Sequence, residues 1–482
     1  SVLVILIILI GGIILSGAVL KIAQISSNTS TNYGDYNYDW YLDNIKYYQS
    51  EIDAIQKSIA QSGEPATEEQ LKRIEEMNIW IEYDRRQYDY YSNGGKHSSY
   101  LSFLIDEIFN SKLNLTSSSA LPSDEITKIT DKINKYESIF NSKDYKALLE
   151  MQREDARQIT DEFQRELELS EIDLIEKIDP TGDNYNNYQL RQITSNYKNM
   201  KYSLHYNIDY STGTQTQLTP DDRISLENSL AVLEYKIDNN LLSLESSNMI
   251  STASTDLLVS VGVGVAVFLV LIVAGGIISQ EISTGSIKSL IISPTKRWKI
   301  FMAKLLALIT MGVFAMILTY IVSILTSLIL FGTDIINPYI YAVNGTAKEM
   351  NFFVYQLASV FVNYLDILVY TLFAFMLSTV TRNTAVATGV SIGVYFIGSN
   401  ATSIMKLIFG NAEWLNFIPF TNMSLAARIF PEPGIMSVFN QIGLSGILTS
   451  GYPSITFSLI YLAVLVFCLL YITFDSFTRR DI

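Results

Sequence analysis

Between two long apolar runs the chain carries a short stretch that gathers charge, glycine and proline: Glu281, Gly285, Ile287, Lys288, Leu290, Pro294, Lys296, Arg297, Trp298 and Lys299. The chemistry these residue types can do is recognition, and no bond need be made or broken. Gly285 and Pro294 interrupt the backbone, while Ile287, Leu290 and Trp298 form one apolar side and the lysines another. Such a short amphipathic helix can dock in a groove of a partner or rest on anionic lipid. Glu281 at its start is favoured by the helix dipole. A second candidate is Asp366, which falls inside the apolar run from Asn363 to Tyr370. An ionised carboxylate at that depth is costly, so it must face a cavity, find a partner or stay protonated. Asn363, Asp366 and Tyr370 are therefore candidates for a translocation path or a subunit seam. The competing reading is a structural hydrogen bond to a neighbouring helix or to Tyr370. Lys304 and Lys406 lie near span ends, where long side chains snorkel to water. Gly389 and Gly393 form a small-x-x-x-small pair that lets two helices approach closely.

Other chemistries are poorly supplied. Only His97, His205 and Cys468 are present beyond the carboxylates, so a zinc or haem site has few ligands and no intrachain disulfide can form. No catalytic residue and no metal site are expected. Gly94-Gly95-Lys96-His97 lacks the spacing and the hydroxyl of a phosphate-cradling loop.

The elements that position these residues follow from segregation along the chain. The formal net charge is -14, yet 39 of the 48 acids and 23 of the 34 bases fall in residues 21–255. One part is thus acidic and water-soluble and the other is membrane. An acidic soluble part has no use for phosphates, which sets nucleic acid aside as a partner. Six runs reach the roughly 20 apolar residues that a spanning helix needs. They lie at about 2–20, 256–279, 300–331, 353–380, 384–409 and 454–474. The first opens at Ser1 already inside the apolar run, which predicts a missing N-terminal piece.

Lys288, Lys296, Arg297, Lys299, Arg382, Arg479 and Arg480 share one set of short loops, which the positive-inside rule makes cytoplasmic. Trp298 and Trp414 fall near opposite span ends, as interfacial aromatics do. Residues 1–20 are then the first span, 21–255 an extracellular domain, and 256–482 spans two to six, with the connector at 280–299. Within the outer domain apolar residues recur in steps of three and four, as in Ile45, Tyr48, Ile52, Ile55 and Ile59. That is the seam of coiled-coil-like helical hairpins. Thr67 and Thr219 read as N-caps, Asp179-Pro180-Thr181-Gly182 as a helix stop, and the last outer helix as running straight into the second span. Tyrosines dense in 33–48 and 83–100 fill that seam or form an adhesive face. The fold class expected is an all-α membrane protein with six transmembrane helices and a large all-α extracellular domain.

The pattern Glu281-x-x-x-Gly285-x-Ile287-Lys288-x-Leu290-x-x-x-Pro294-x-x-Arg297, followed by Lys304, resembles the first cytoplasmic loop of ABC-2 type transporter permeases. The likeness extends less distinctly over about 256–482 and includes Ile418-Pro419-Phe420-Thr421-Asn422-Met423. It implies a re-entrant outer hairpin at 410–453, a second permease subunit as homodimer or heterodimer, and a coupling helix that contacts a separate cytoplasmic ABC ATPase. ATP and Mg would be held by that ATPase, so this chain is expected to need no cofactor of its own and to be no enzyme. The expected activity is export of a peptide, antimicrobial or lipid-like molecule, in contact with membrane lipid. The family's amphipathic helix before the first span is missing here, and the outer insertion is far larger than in compact members. Two alternatives are a non-transporting surface protein of the phage-adsorption or secretion-accessory type, and a sodium-extruding permease.

Overall fold

The structure, a computed structural model, describes residues 7, 10–22, 38–117, 122–210, 216–242, 246–286, 296–332, 338–409, 412–423, 425–430 and 453–479. The chain divides into two compact units. One comprises Ser1–Asn28, Glu245–Tyr341 and Lys348–Ile482, and the other comprises Thr29–Leu244 with Ala342–Ala347.

After α1 (Ile10–Ile22), the second unit is built from α2 (Asp39–Ser62), α3 (Glu68–Ser92), α4 (Tyr100–Ser117), α5 (Ser123–Ser142), α6 (Tyr145–Arg157), α7 (Glu162–Ile178), α8 (Tyr188–Tyr206) and α9 (Pro220–Asp238). Each helix packs against its neighbours in sequence. The start signals do what their residue types dictate. Thr67 accepts from Gln70 N at 3.2 Å while Gln70 returns its side chain to Thr67 N at 2.9 Å, and Thr219 and Asp222 close the same kind of box ahead of Pro220. The periodic seam is also real. Ile52 meets Met77 and Ile81, Tyr100 and Leu104 meet Tyr136, Leu148 and Leu149, and Leu174 meets Tyr197 and Ile237. Tyr41, Tyr91 and Tyr100 are buried, with Tyr38 and His97 stacked on Tyr91, so the dense tyrosines mostly fill the seam. Arg86 and Lys112 each bridge Glu82 and Glu137 at 2.7 to 3.0 Å, fastening α3, α4 and α5 to one another.

Two expectations need correction. The unit is not purely helical, because β1 (Ile208–Asp209) pairs antiparallel with β2 (Thr216–Gln217). Nor does the last outer helix run on into the next span. Asn239 caps α9, Asn240 takes the left-handed conformation at φ 54°, and Leu241 N donates to Lys236 O at 2.8 Å. Asparagine tolerates that conformation and the backward bond satisfies a terminal carbonyl, so the helix stops.

The first unit is mostly helical as well. It holds α10 (Ser246–Gly276), α11 (Ser279–Ser283), α12 (Arg297–Phe331), the hairpin β3 (Tyr339–Val343) and β4 (Thr346–Met350), α13 (Phe352–Thr381), α14 (Thr384–Phe409), α15 (Leu425–Ile429) and α16 (Ile455–Arg479). Asn344 and Gly345, at φ 52° and 71°, make the two-residue turn of that hairpin. Four helices are long and apolar enough to cross a membrane: Leu257–Ser283, Arg297–Phe331, Phe352–Thr381 and Ile455–Arg479. Ile10–Ile22 and Thr384–Gly398 are shorter apolar helices.

Helix α13 is the hub, packing on α10, α12, α14 and α16, with Ala374 and Phe375 wholly excluded from solvent. Helix α1 is seated by Ile13 against Leu258 and Phe331. A Cβ on its Gly17 would come within 2.8 Å of Leu330 and 2.9 Å of Thr326, so the helix surfaces meet closely there.

Candidate functional site

The connector between α11 and α12 is held at both of its ends. On the near side α10 stops at Gly276 and the chain restarts as α11 at Ser279, whose N-cap Ile278 offers no side-chain bond. The missing cap comes from another helix. Ser378 Oγ of α13 accepts from Ser279 N at 3.0 Å and from Ile278 N at 3.3 Å. Ser279 Oγ donates to Gly275 O at 2.7 Å and lies 2.9 Å from Thr384 Oγ1 of α14. The break can sit this close to α14 because position 275 is glycine: a Cβ there would meet the Thr388 backbone at 2.9 Å.

One turn further, Glu281 Oε1 lies 2.6 Å from Lys304 Nζ, and Lys304 also donates to Ile277 O at 3.2 Å. The lysine side chain is 12% exposed and the glutamate 29%, so this is a largely desolvated pair. Glu281 Oε2 is buried and has no hydrogen-bond partner among the described residues. On the far side Arg297, the first residue of α12, donates to Thr478 O of α16 at 3.1 Å. Lys304 therefore does not snorkel to water as its sequence position suggests. A carboxylate on the preceding helix captures it first.

Of the other predicted connector residues, Gly285 adopts φ 74°, a conformation that β-carbon-bearing residues rarely tolerate. Ile287, Lys288, Leu290 and Pro294 lie outside the described residues. Ser378, Ser279 and Thr384 were not singled out by sequence reasoning. Isolated hydroxyls in apolar helices carry no spacing signal, and their partners lie about a hundred residues away.

Asn363, Asp366 and Tyr370 share one face of α13. Asn363 and Asp366 are half-buried, with one Asp366 carboxylate oxygen shielded from solvent, and Tyr370 is buried edge-on against Tyr395. Gly389 and Gly393 meet nothing: a Cβ at either would have open space within 4 Å. The close helix approaches inside this chain occur at other glycines, Gly275 and also Gly262, where a Cβ would lie 2.5 Å from Ser323 Oγ.

The stretch around Ile418 forms two 3-10 turns, Glu413–Phe417 and Pro419–Asn422. Asn422, fully buried, donates to the carbonyls of Asn416 and Ile418 and accepts from Ser458 Oγ at 3.0 Å, which in turn accepts from Arg428 at 2.9 Å. The remainder of the expected hairpin, 431–452, lies outside the described residues. Among the described residues no group of three histidines, cysteines or carboxylates can hold a metal.

In the second unit the most strained polar position is Asp84, 2% exposed on α3. Burial raises its carboxyl to about 6, against a hydrogen bond from Asn44 that lowers it. Its Oδ2 and the Oε1 of Gln87, also buried, have no hydrogen-bond partner among the described residues, while Gln87 Nε2 donates to Asp106 at 3.1 Å. Two neighbouring acceptors without a donor are what a shared proton would satisfy.

Comparison with known proteins places the match mainly in the first unit. The family described as protein of unknown function (DUF2705) matches residues 234–482. The uncharacterized protein YhcI of Bacillus subtilis (strain 168) is 27% identical over 268 residues, covering 55% of this chain and 78% of that protein. The uncharacterized membrane protein YdbK of the same organism is 31% identical over 180 residues, covering 37% of this chain and 68% of that protein. No solved structure matches significantly.

Proposed function

The chain belongs to the DUF2705 family, and from that premise we propose that it is the permease subunit of an ATP-driven exporter of the ABC-2 type. A separate cytoplasmic ATPase, carrying ATP and Mg, would push on the connector at 280–299. The observation that carries this reading is the double anchorage of the connector, through Glu281 to Lys304 and through Arg297 to Thr478. A loop that only floats on lipid needs no such fixing. A loop that transmits force must be joined stiffly to the helices it moves, and an ion pair in a desolvated setting is stiff.

Topology in this reading has six crossings, with the bases around the connector, Arg382 and Arg479 inside and the helical unit outside. Asn363, Asp366 and Tyr370 line the path or its seam. The open surface at Gly389 and Gly393 favours contact with a second permease subunit. The substrate class that suits an acidic outer unit is a cationic peptide or amphiphile.

The test is purification from native membranes in mild detergent, followed by ATPase measurement. An ATPase should copurify, and Leu290→Asp should separate it or reduce its turnover about tenfold, as loss of a buried apolar contact at a docking helix does. Isolation of the chain with no ATPase, together with wild-type behaviour of Leu290→Asp, would sink the proposal.

A further inference from the structure

The second unit contains a cavity of about 400 Å³ that plays no part in the reading above. It opens between α5, α6 and α7, and its size suits a small organic molecule. Ala156 and Ile172, both buried, line its floor beside Ile159 and Ile175. Tyr136 faces it from α5 at 4% exposure, and its hydroxyl makes no hydrogen bond among the described residues. A buried hydroxyl with nothing to bond to, on the wall of an open space, is a place kept for a ligand's polar group.

The charge around the cavity is unbalanced. Lys198 lies 2.6 Å from both Glu168 and Glu171, one ammonium shared by two carboxylates on the wall. Asp155, also lining the cavity, enters no ion pair among the described residues. Lys132, 5.3 Å from the Tyr136 ring centre, is 3.8 Å from Glu107 and so is already matched. A surplus of negative charge beside aromatic and branched apolar surface selects a cation with a hydrophobic body.

The geometry points to a binding site for a small organic ammonium in this cavity, with Tyr136 and Asp155 receiving the charged end and Ile159, Ile172 and Ile175 the apolar body. It stands whether or not the chain is a permease, because equilibrium binding needs neither transport nor an ATPase.

Dansylcadaverine, a fluorescent apolar body bearing a primary ammonium, is the probe, with its neutral N-acetyl derivative as control. Both are titrated into the full chain in lipid nanodiscs. The ammonium should bind at least about tenfold more tightly than the neutral compound, and Tyr136→Phe, which removes one oxygen and no packing, should weaken it about tenfold. Asp155→Asn, at an exposed position with no ion pair to break, should weaken it about threefold and without unfolding. Equal affinity for the two compounds, wild-type affinity in both variants, or no binding at millimolar probe would each overturn the assignment.

Discussion

Removing the ammonium of Lys304 is the sharpest perturbation of the connector. At the 2.6 Å separation of Lys304 and Glu281, the gross Coulomb attraction is about 6 kcal/mol for an effective dielectric near 20, before desolvation is subtracted. Breaking a buried pair by deleting one partner costs about 3–5 kcal/mol, because the survivor is left charged and uncompensated. The two single deletions should not cost the same. Lys304→Met strands a carboxylate whose second oxygen already lacks a hydrogen bond, whereas Glu281→Gln keeps an acceptor and leaves Lys304 its bond to Ile277 O. The expected order is about 3 kcal/mol or more for Lys304→Met and about half that for Glu281→Gln. The Glu281→Gln/Lys304→Met double variant should be milder than Lys304→Met alone. The assay is a double-mutant cycle on denaturant unfolding in detergent, read alongside hydrogen exchange at residues 277–286. Additive effects, with a coupling below about 0.5 kcal/mol, would show that the two charges do not act as a unit and would remove the stiff joint from the argument.

The remaining predictions concern buried polar groups. Asp84, with its carboxyl raised to about 6, favours the folded state most when protonated. Its contribution is complete below the ordinary carboxylate value and is lost as pH rises through about 6, a swing of about 3 kcal/mol. Asp84→Asn should therefore leave stability near pH 4 unchanged and raise it at pH 8, measured by hydrogen exchange along α3; a variant less stable at pH 8 would contradict this. Ser378→Ala removes the acceptor shared by Ile278 N and Ser279 N. It should cost about 1–3 kcal/mol and speed exchange at those two amides, and unchanged protection there would mean that the break is capped by something else.

Local signals carried much of this fold in the sequence. Thr67 with Gln70 and Thr219 with Pro220 and Asp222 announce helix starts because every participant lies within one turn. Ile52, Met77 and Ile81 announce a seam because burial repeats with the helix period. What the sequence did not disclose depends on distance or on a single dihedral angle. Nothing local tells Lys304 that Glu281, 23 residues earlier, will be nearer than water. Ser378 and Ser279 are 99 residues apart and neither is unusual alone. The run-on from α9 to α10 failed on the left-handed Asn240, since polarity rises smoothly across the boundary. The β3–β4 hairpin was legible in principle: Asn344-Gly345 between Tyr339–Val343 and Thr346–Met350 is a strong short-range turn signal, obscured by the apolar spans around it.

The seat of α1 also sets a schedule for synthesis. Gly17 and Ile13 find their partners in Leu258, Thr326, Leu330 and Phe331, so the first helix made waits for some three hundred further residues, about 15–60 s at ordinary rates of translation. Throughout that interval the helical unit can complete itself from its own neighbours, while α1 has none of its final contacts. The earliest product of the ribosome is thus among the last pieces to be packed. Pulse-labelled chains stalled between residues 258 and 331 should show α1 more open to protease or to an insertion chaperone than the finished protein does.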